Sequence, residues 1–380
     1  MTSVAINPKV LQWALIRSGD PSALKRKFAR LEDWLAGNAS PSLRQLEDFA
    51  RASRVPVGFL FLNEPPEENL PIPDLRTFQG RGVAIPSPDL LDTVYLCQRR
   101  QAWYQEYAQE NGEEPRNFIG SLTVRSAPEK AASQIENVLG FGVSSRKQCP
   151  TWSDALRLFI QRAEDAGILV MVSGVVGSNN TRKLDPQEFR GFALADKLAP
   201  LVFINGADTK AAQMFTLAHE LAHLWLGESA VSNAGLAVPA GQAVEVWCNR
   251  VAAELLVPLV ELRKQVTGAG QALSMLDALA RVFKVSTLVI LRRLMDAECI
   301  SRGQFQIKYD AEVERLRKLQ RPGGGNFYLT QAARLSRRFA RAVVTSTREG
   351  QTLYRDAFQM LGIKKEQTFC TLGAELEVVG

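Results

Sequence analysis

The chain has few histidines, no paired cysteines and no long apolar runs. Only two of its 380 residues are histidines, which excludes every zinc site built from three imidazoles. The five cysteines are scattered without a C-x-x-C pair, which predicts reduced thiols in a cytoplasmic protein. No apolar run approaches the roughly 20 residues that cross a bilayer, and the polar segment 1–7 is unlike a secretory signal. We therefore expect no membrane partner.

Two further classes of function have weak support. The glycine-rich loop 321–328 is not followed by Gly-Lys-Ser or Gly-Lys-Thr, which argues against a phosphate-binding loop. The formal charge is only +6 with a pI near 9.1, which permits contact with nucleic acid without requiring it. Hydrophobic residues make up 46% of the chain, enough for real cores in two or three domains.

Both histidines lie in one segment that is predicted to be a helix. Residues 211–226 are rich in Ala, Leu and Met, and Gly227 ends the segment. His219 and His223 lie one turn apart on the same face, where two imidazoles can bind one Zn²⁺ and leave room for a third ligand and a water. Glu220 stands next to the first histidine and can accept a proton from that water. The segment thus carries the H-E-x-x-H pattern of zinc peptidases.

The third protein ligand must be a carboxylate or a cysteine, since no histidine is left. Glu245, Cys248 and Glu254 are the candidates on the next predicted helix, residues 244–257. Glu245 and Cys248 share the core-facing stripe, whereas Glu254 is about half a turn away and is expected to pair with Arg250 at the surface. A buried carboxylate needs a partner such as a metal. Glu245 is the predicted ligand, and Cys248 is the next candidate.

Asn249 lies one turn after Glu245 on the same helix. Its side-chain oxygen is predicted to accept the ring N–H of a ligating histidine, which would orient that ring. The order H-E-x-x-H followed by E-x-x-x-N is the gluzincin arrangement, and it is more specific than the first motif alone.

Together these two strings resemble a known family. F-T-L-A-H-E-L-A-H at 215–223 with E-V-W-C-N-R-V-A-A-E-L-L-V-P at 245–258 is similar to the ImmA/IrrE family of metallo-endopeptidases. The resemblance implies that His219, His223 and Glu245 are zinc ligands and that Glu220 is the general base. It also implies a protein substrate, because family members cleave helix-turn-helix repressors and so release stress or mobile-element genes.

The N-terminal segment is predicted to be a small helical domain. We expect helices from Pro8 to about Arg17, from Pro21 through Trp34, and from Ser40-Pro41 onward, then a short helix over 55–62. The string from Trp34 to Ala50 resembles the C-terminal half of the XRE-type helix-turn-helix domain. The stretch between Asp20 and Trp34 is shorter than in DNA-reading members, and it holds the turn and the recognition helix that read bases.

Four basic residues of this segment are candidate phosphate contacts: Lys25, Arg26, Lys27 and Arg30. They predict weak DNA binding at most. The alternative is a helical interaction or dimerisation module with a solvated basic face.

The remaining segments complete a prediction of an α+β fold that is mostly α. A Pro-rich acidic linker at 63–77 precedes long helices and a small sheet whose edge could hold an extended peptide. Strands are expected at 168–172, 189–196 and 199–205. We predict a helix-turn-helix domain at 1–63, a linker with bracing helices at 64–150, a zincin peptidase of the gluzincin type at 151–262, a helical helix-turn-helix-like subdomain at 263–302 and a helical region at 303–380.

The sequence thus predicts a zinc metallo-endopeptidase that cleaves a regulatory protein. The alternative is a DNA-binding transcription regulator or antitoxin with a structural or sensory metal site. With no third histidine, a tyrosine or arginine must stabilise the tetrahedral oxyanion, and Tyr328 is the candidate.

Overall fold

The computed structural model describes residues 3–75, 86–232, 243–266, 268–319 and 334–378. The chain divides into two compact units, which we call unit 1 (residues 1–71 and 84–94) and unit 2 (residues 72–83 and 95–380). The fold is α+β and mostly helical, as predicted. None of the described helices is both long and apolar enough to cross a membrane.

The N-terminal part of unit 1 is built from short helices around an aliphatic and aromatic core. The elements are α1 (Pro8–Arg17), α2 (Pro21–Lys27), α3 (Leu31–Leu35), α4 (Leu43–Ser53) and a 3-10 helix (Val57–Phe61). Leu31, Leu46 and Phe49 are fully buried at its centre. Asn7 caps α1 and Asp20 caps α2, and each is followed by proline at the first helical position.

The predicted helix from Pro21 through Trp34 is wrong, because the chain leaves the helical conformation at Phe28. The backbone there has φ −114° and ψ 87°, and α3 starts anew at Leu31. The break places the Phe28 ring 5.5 Å from that of Phe49, edge-on, and 6.2 Å from that of Trp34. Aromatic packing of this kind outweighs helix propensity in a segment of seven residues.

The predicted helix start at Ser40-Pro41 is also two residues early. Ser42 is the cap of α4: its hydroxyl accepts the N–H of Gln45, and the Gln45 side chain accepts the N–H of Ser42. Pro41 instead accepts a hydrogen bond from the N–H of Val4. The capping-box spacing of Ser42 and Gln45 indicates this helix start in the sequence.

Unit 2 contains a four-stranded mixed sheet in the order β1-β3-β2-β4. The strands are β1 (Leu169–Ser173), β2 (Gly191–Leu194), β3 (Leu201–Asn205) and β4 (Ala230–Ser232). β1 runs parallel to β3, whereas β2 is antiparallel to β3 and to β4. The three strands predicted before His219 are confirmed, but β4 was not predicted.

The helices that follow unit 1's core lie along the chain as α5 (Pro88–Glu110), α6 (Pro128–Leu139), α7 (Val143–Lys147), α8 (Trp152–Asp165), α9 (Lys210–Leu226) and α10 (Ala243–Leu256). They are followed by α11 (Leu259–Arg263), α12 (Ala269–Ser274), α13 (Leu276–Phe283), α14 (Thr287–Asp296), α15 (Arg302–Leu319), α16 (Arg337–Arg348), α17 (Tyr354–Leu361) and α18 (Glu366–Glu375).

One hydrophobic core of unit 2 runs through the sheet and through the helices from α6 to α14. α9 lies at its centre, and every residue from Gln213 to Trp225 is buried. A helix that is apolar on all sides must be enclosed on all sides. Any polar residue between Gln213 and Trp225 is therefore placed in a dry environment.

Candidate metal centre

Helix α9 carries three of the candidate site residues. Thr209 caps its N-terminus by accepting the N–H of Ala212, and Gly227 ends it in the left-handed conformation at φ 74°. His219, Glu220 and His223 have no exposed surface. Burying three such polar side chains is costly unless they have partners.

The partners come from each other and from α10. The Nε2 atoms of His219 and His223 lie 3.1 Å apart, and His223 Nε2 lies 3.0 Å from Glu245 Oε1. His219 Nε2 lies 3.4 Å from Glu245 Oε2. Among the described residues, these three form the one group of three or more His, Cys, Asp or Glu side chains whose ligand atoms all lie within 4.8 Å of one another.

These distances fit a single small cation. A tetrahedral centre with bonds of about 2.0–2.1 Å separates its ligand atoms by about 3.3 Å. The three observed separations lie on either side of that value. Two imidazoles and one carboxylate also form a donor set that suits a transition metal. The cluster is therefore compatible with a bound metal ion.

The charges of the three side chains in the cluster depend on one another. Burial alone would raise the pKa of Glu245, but the two histidines outweigh it and hold that pKa low, at about 2. Burial alone would lower the pKa of His219, but the Glu245 carboxylate raises it. The carboxyl group is therefore ionised, which is the form that binds a cation.

Asn249 lies beside the first histidine. Its Oδ1 lies 3.0 Å from Nδ1 of His219, where it can accept the ring N–H of the tautomer whose Nε2 faces Glu245 and His223 unprotonated. Cys248, the alternative third ligand, is fully buried, and burial raises the pKa of its thiol well above the usual range. Its sulfur is also not among the ligand atoms that lie within 4.8 Å of one another.

Glu220 is buried beside this cluster and contacts a residue that the sequence analysis missed. The hydroxyl of Ser232 on β4 donates to Glu220 Oε1. The other carboxylate oxygen, Oε2, has no hydrogen-bond partner within the described part of the chain. Burial raises the pKa of Glu220, which makes its carboxylate a stronger base. One oxygen is thus fixed, while the other is free to exchange a proton.

Gly191 is a second residue that the sequence analysis missed. A Cβ atom at this position of β2 would lie 2.6 Å from a methyl carbon of Thr216, 2.8 Å from the backbone oxygen of Phe203 and 3.1 Å from Glu220 Oε1. Only glycine lets α9 lie this close to the sheet with Glu220 between them. A glycine inside a predicted strand often marks a close approach by another segment, and this could have identified Gly191 from the sequence.

A buried arginine holds the C-terminal end of α10, the helix that carries Glu245 and Asn249. Arg146 donates to the carbonyl oxygens of Leu255 and Leu256 at 3.1 and 2.6 Å, and it also reaches that of Phe283. These carbonyls have no partners within the helix, and a cation satisfies both their hydrogen bonding and the helix dipole. The long reach of one arginine fixes α10 relative to α13.

The predicted pairing of Glu254 with Arg250 at the surface is wrong. Glu254 is buried, contacts Arg293 of α14 and accepts a hydrogen bond from the backbone N–H of Leu259. Arg250 is exposed. Helical spacing correctly places Glu254 and Glu245 on different faces of α10. It does not show that α14 covers the face that carries Glu254.

The other predicted site residues lie elsewhere. Tyr328, the candidate oxyanion group, lies outside the described residues, as does the glycine-rich loop. Lys25, Arg26, Lys27 and Arg30 are all exposed in unit 1, and Lys25 pairs with Glu32 at 2.8 Å.

Comparison with known protein families agrees with the site. Residues 163–295 match a peptidase family whose profile is described as IrrE N-terminal-like domain. This match spans β1, α9, α10 and α14, and so includes every residue of the cluster. It supports a metallopeptidase of the IrrE/ImmA type in this segment. Residues 335–375 match a domain of unknown function, DUF8813, and no curated protein matches the chain.

Proposed function

We propose that this protein is a zinc-dependent endopeptidase that cleaves a regulatory protein in the cytoplasm. The observation that carries the proposal is the buried cluster of His219, His223 and Glu245, whose ligand atoms are spaced for one tetrahedral cation. The match of 163–295 to a peptidase family supports the same class of reaction. Zinc suits two imidazoles and one carboxylate with an open fourth position.

His219, His223 and Glu245 would hold the metal, and Asn249 would fix the ring of His219. A bound zinc ion supplies Lewis-acid chemistry, because it polarises a carbonyl group and lowers the pKa of water. Glu220 would then accept the proton of the attacking water at Oε2 and pass it to the leaving amine. Ser232 would hold Oε1 throughout, so that the carboxylate keeps one orientation. Tyr328 remains our candidate for stabilising the oxyanion.

For the substrate we propose a helix-turn-helix repressor, cut in an extended segment between its DNA-binding and dimerisation parts. Two features support this choice: the similarity to the IrrE type of peptidase and a sheet edge next to Glu220. An extended chain can add to such an edge, whereas a folded helix cannot.

Unit 1 would be an XRE-like helix-turn-helix module whose role is recognition of the substrate, with weak DNA binding at most. Its four candidate basic residues are exposed and lie in or after the last turn of a helix. Such a position favours general phosphate contact over base reading.

The test is to incubate zinc-loaded protein with repressors encoded beside its gene and to map the products by mass spectrometry. We expect one cut in an extended segment, abolished by a chelator and restored by added zinc. If no such repressor is cut while zinc is bound, the substrate proposal is wrong. A second arm uses fluorescein-labelled casein, an unfolded protein: failure there as well would contradict the peptidase proposal itself.

A further inference from the structure

The sheet edge beside Glu220 is already occupied by the chain itself. In the order β1-β3-β2-β4, the two edge strands are β1 and β4. β4 carries Ser232, whose hydroxyl contacts Glu220, whereas β3 and β2 separate β1 from β4. An extended peptide that adds to the sheet near the base must therefore pair with β4.

The outward-facing backbone groups of β4 belong to Val231. The carbonyl of Ser232 accepts a hydrogen bond from the N–H of Arg190, so the backbone groups of Ser232 point toward β2. Because backbone groups alternate in direction along a strand, those of Val231 point away from β2, to the open edge. The N–H of Val231 donates to the carbonyl of Pro73, and its carbonyl accepts the N–H of Leu75, both at 3.0 Å. Asp74 and Val231 form a parallel bridge. Both groups that a docking peptide would use are taken.

The occupying segment has the character of a bound peptide. Within the described residues 62–75 there is no helix and no strand, and prolines precede and interrupt the segment 72–75. Ile72 is buried, whereas Pro73 is exposed. One buried side chain and two backbone hydrogen bonds are the usual means by which an extended peptide holds a sheet edge.

We propose that residues 72–75 form a displaceable internal occupant of the β4 edge, and that the same edge takes an extended peptide from the substrate when the segment leaves. This inference deepens the proposed peptidase function and relies on it for the identity of the incoming peptide. Each of the two hydrogen bonds to Val231 is weak enough to exchange: losing one favours release by about fivefold to tenfold. Competition for Val231 would then keep the resting enzyme at low activity.

Leu75→Pro tests the inference, because proline has no N–H to donate to Val231. The matched control is Leu70→Pro in the same linker, where the N–H makes no hydrogen bond to any described residue. The probe is a fluorescein-labelled synthetic peptide with the sequence of residues 68–75. Fluorescence anisotropy should show it binding Leu75→Pro about fivefold to tenfold more tightly than the unmodified protein or Leu70→Pro. The Val231 amide should also exchange its hydrogen faster in Leu75→Pro alone.

Equal peptide binding by all three proteins would overturn the inference, as would unchanged exchange at Val231. Zinc-loaded Leu75→Pro should also cut labelled casein faster than Leu70→Pro, and unlabelled peptide 68–75 should suppress the difference. If the peptide binds as expected but no protein cuts casein, the occupied edge stands and the peptidase proposal fails. If Leu75→Pro does not fold, Ile72→Ser replaces it, because this change removes the buried side chain and keeps both backbone bonds.

Discussion

The basic residues of unit 1 and the polar residues on α9 and α10 of unit 2 differ in how they are solvated. Lys25, Arg26, Lys27 and Arg30 are exposed, and water satisfies them at no cost to the fold. His219, Glu220 and Glu245 are almost completely removed from water. Groups of the second kind destabilise a protein unless they are matched to one another or to a ligand.

The comparison shows why the two regions carry different weight as evidence of function. An exposed basic helix is compatible with DNA, with another protein or with solvent alone. A buried cluster with ligand atoms 3.0–3.4 Å apart has far fewer explanations. We therefore expect large effects from changes in the buried cluster and small effects from changes in the basic patch.

The largest effect is expected from Glu220→Gln. The amide cannot accept a proton, so cleavage of casein or of a repressor should fall by about 10²- to 10⁴-fold. Metal content, measured by elemental analysis, should stay unchanged because Glu220 is not among the proposed ligands. Full activity in this variant would remove the enzyme proposal and favour the alternative of a regulator with a sensory metal site.

Glu245→Gln and Glu254→Gln compare two buried glutamates on one helix. Glu245→Gln should lose most of the bound zinc, because an amide oxygen is a much weaker ligand than a carboxylate. Glu254→Gln should keep the zinc, because its carboxylate contacts Arg293 on a different face of α10. Elemental analysis after dialysis measures both. Retained zinc in Glu245→Gln would show that the third-ligand assignment is wrong.

Glu164 on α8 is a buried carboxyl group outside the cluster, and its burial should make the stability of the protein depend on pH. Its carboxylate accepts the hydroxyl of Ser336 at the N-terminus of α16, and burial raises its pKa from 4.5 to about 7. An acid whose pKa is higher in the folded state stabilises the fold fully below pH 4.5 and loses that contribution as pH rises through about 7. The free energy of unfolding should thus fall by up to about 3 kcal/mol over this window.

Glu164→Gln should flatten that part of the profile, which urea unfolding at a series of pH values measures. The control is Asp165→Asn, the exposed next residue, which should leave the profile unchanged. An identical pH dependence in Glu164→Gln and in the unmodified protein would contradict the assignment to Glu164.

Gly191→Ala tests how tightly the sheet supports the base. The added methyl group would meet Thr216 and the backbone of Phe203 at less than 3 Å, so α9 or β2 must shift. We expect the free energy of unfolding to fall by about 1–3 kcal/mol, with a loss of activity as Glu220 moves. Gly58→Ala is the matched control, because its methyl group would enter open space. Equal stability of the two variants would show that the packing at Gly191 is loose.

Much of the cluster could be predicted from sequence because its signals are local. The spacing of His219 and His223 within α9, and of Glu245 and Asn249 within α10, follows from helical geometry alone. The structure brings these two helices together, and Glu245 is buried as the spacing predicts. Because the chain has only two histidines, few side chains remained as candidate ligands.

The parts that sequence did not predict depend on contacts between distant segments. β4 has three residues, too few for a periodic pattern, so Ser232 gave no signal. Neither the pairing of residues 73–75 with Val231 nor that of Glu254 with Arg293 can be read from local spacing. The prediction of a continuous helix across Phe28 was wrong for the same reason. The break there is caused by packing of Phe28 against Phe49 and Trp34.

The smallest effect is expected at the basic patch of unit 1. With at most four phosphate contacts, binding to a fluorescent 20-base-pair duplex should weaken with salt, with a slope of log K against log salt no steeper than about −4. Sequence preference should be small, because these residues are placed for phosphate contact.

Single substitutions sharpen this last expectation, because the four residues are not equivalent. Lys25 is already paired with Glu32 at 2.8 Å, whereas no ion pair joins Arg26 to any described residue. Arg26→Gln should therefore reduce the salt slope by about one, and Lys25→Gln by less. Both variants should keep full peptidase activity on casein, because neither residue belongs to the metal cluster. A salt-resistant, sequence-specific footprint that disappears when residues 1–62 are removed would contradict the whole comparison, since the exposed patch would then carry a specific function of its own.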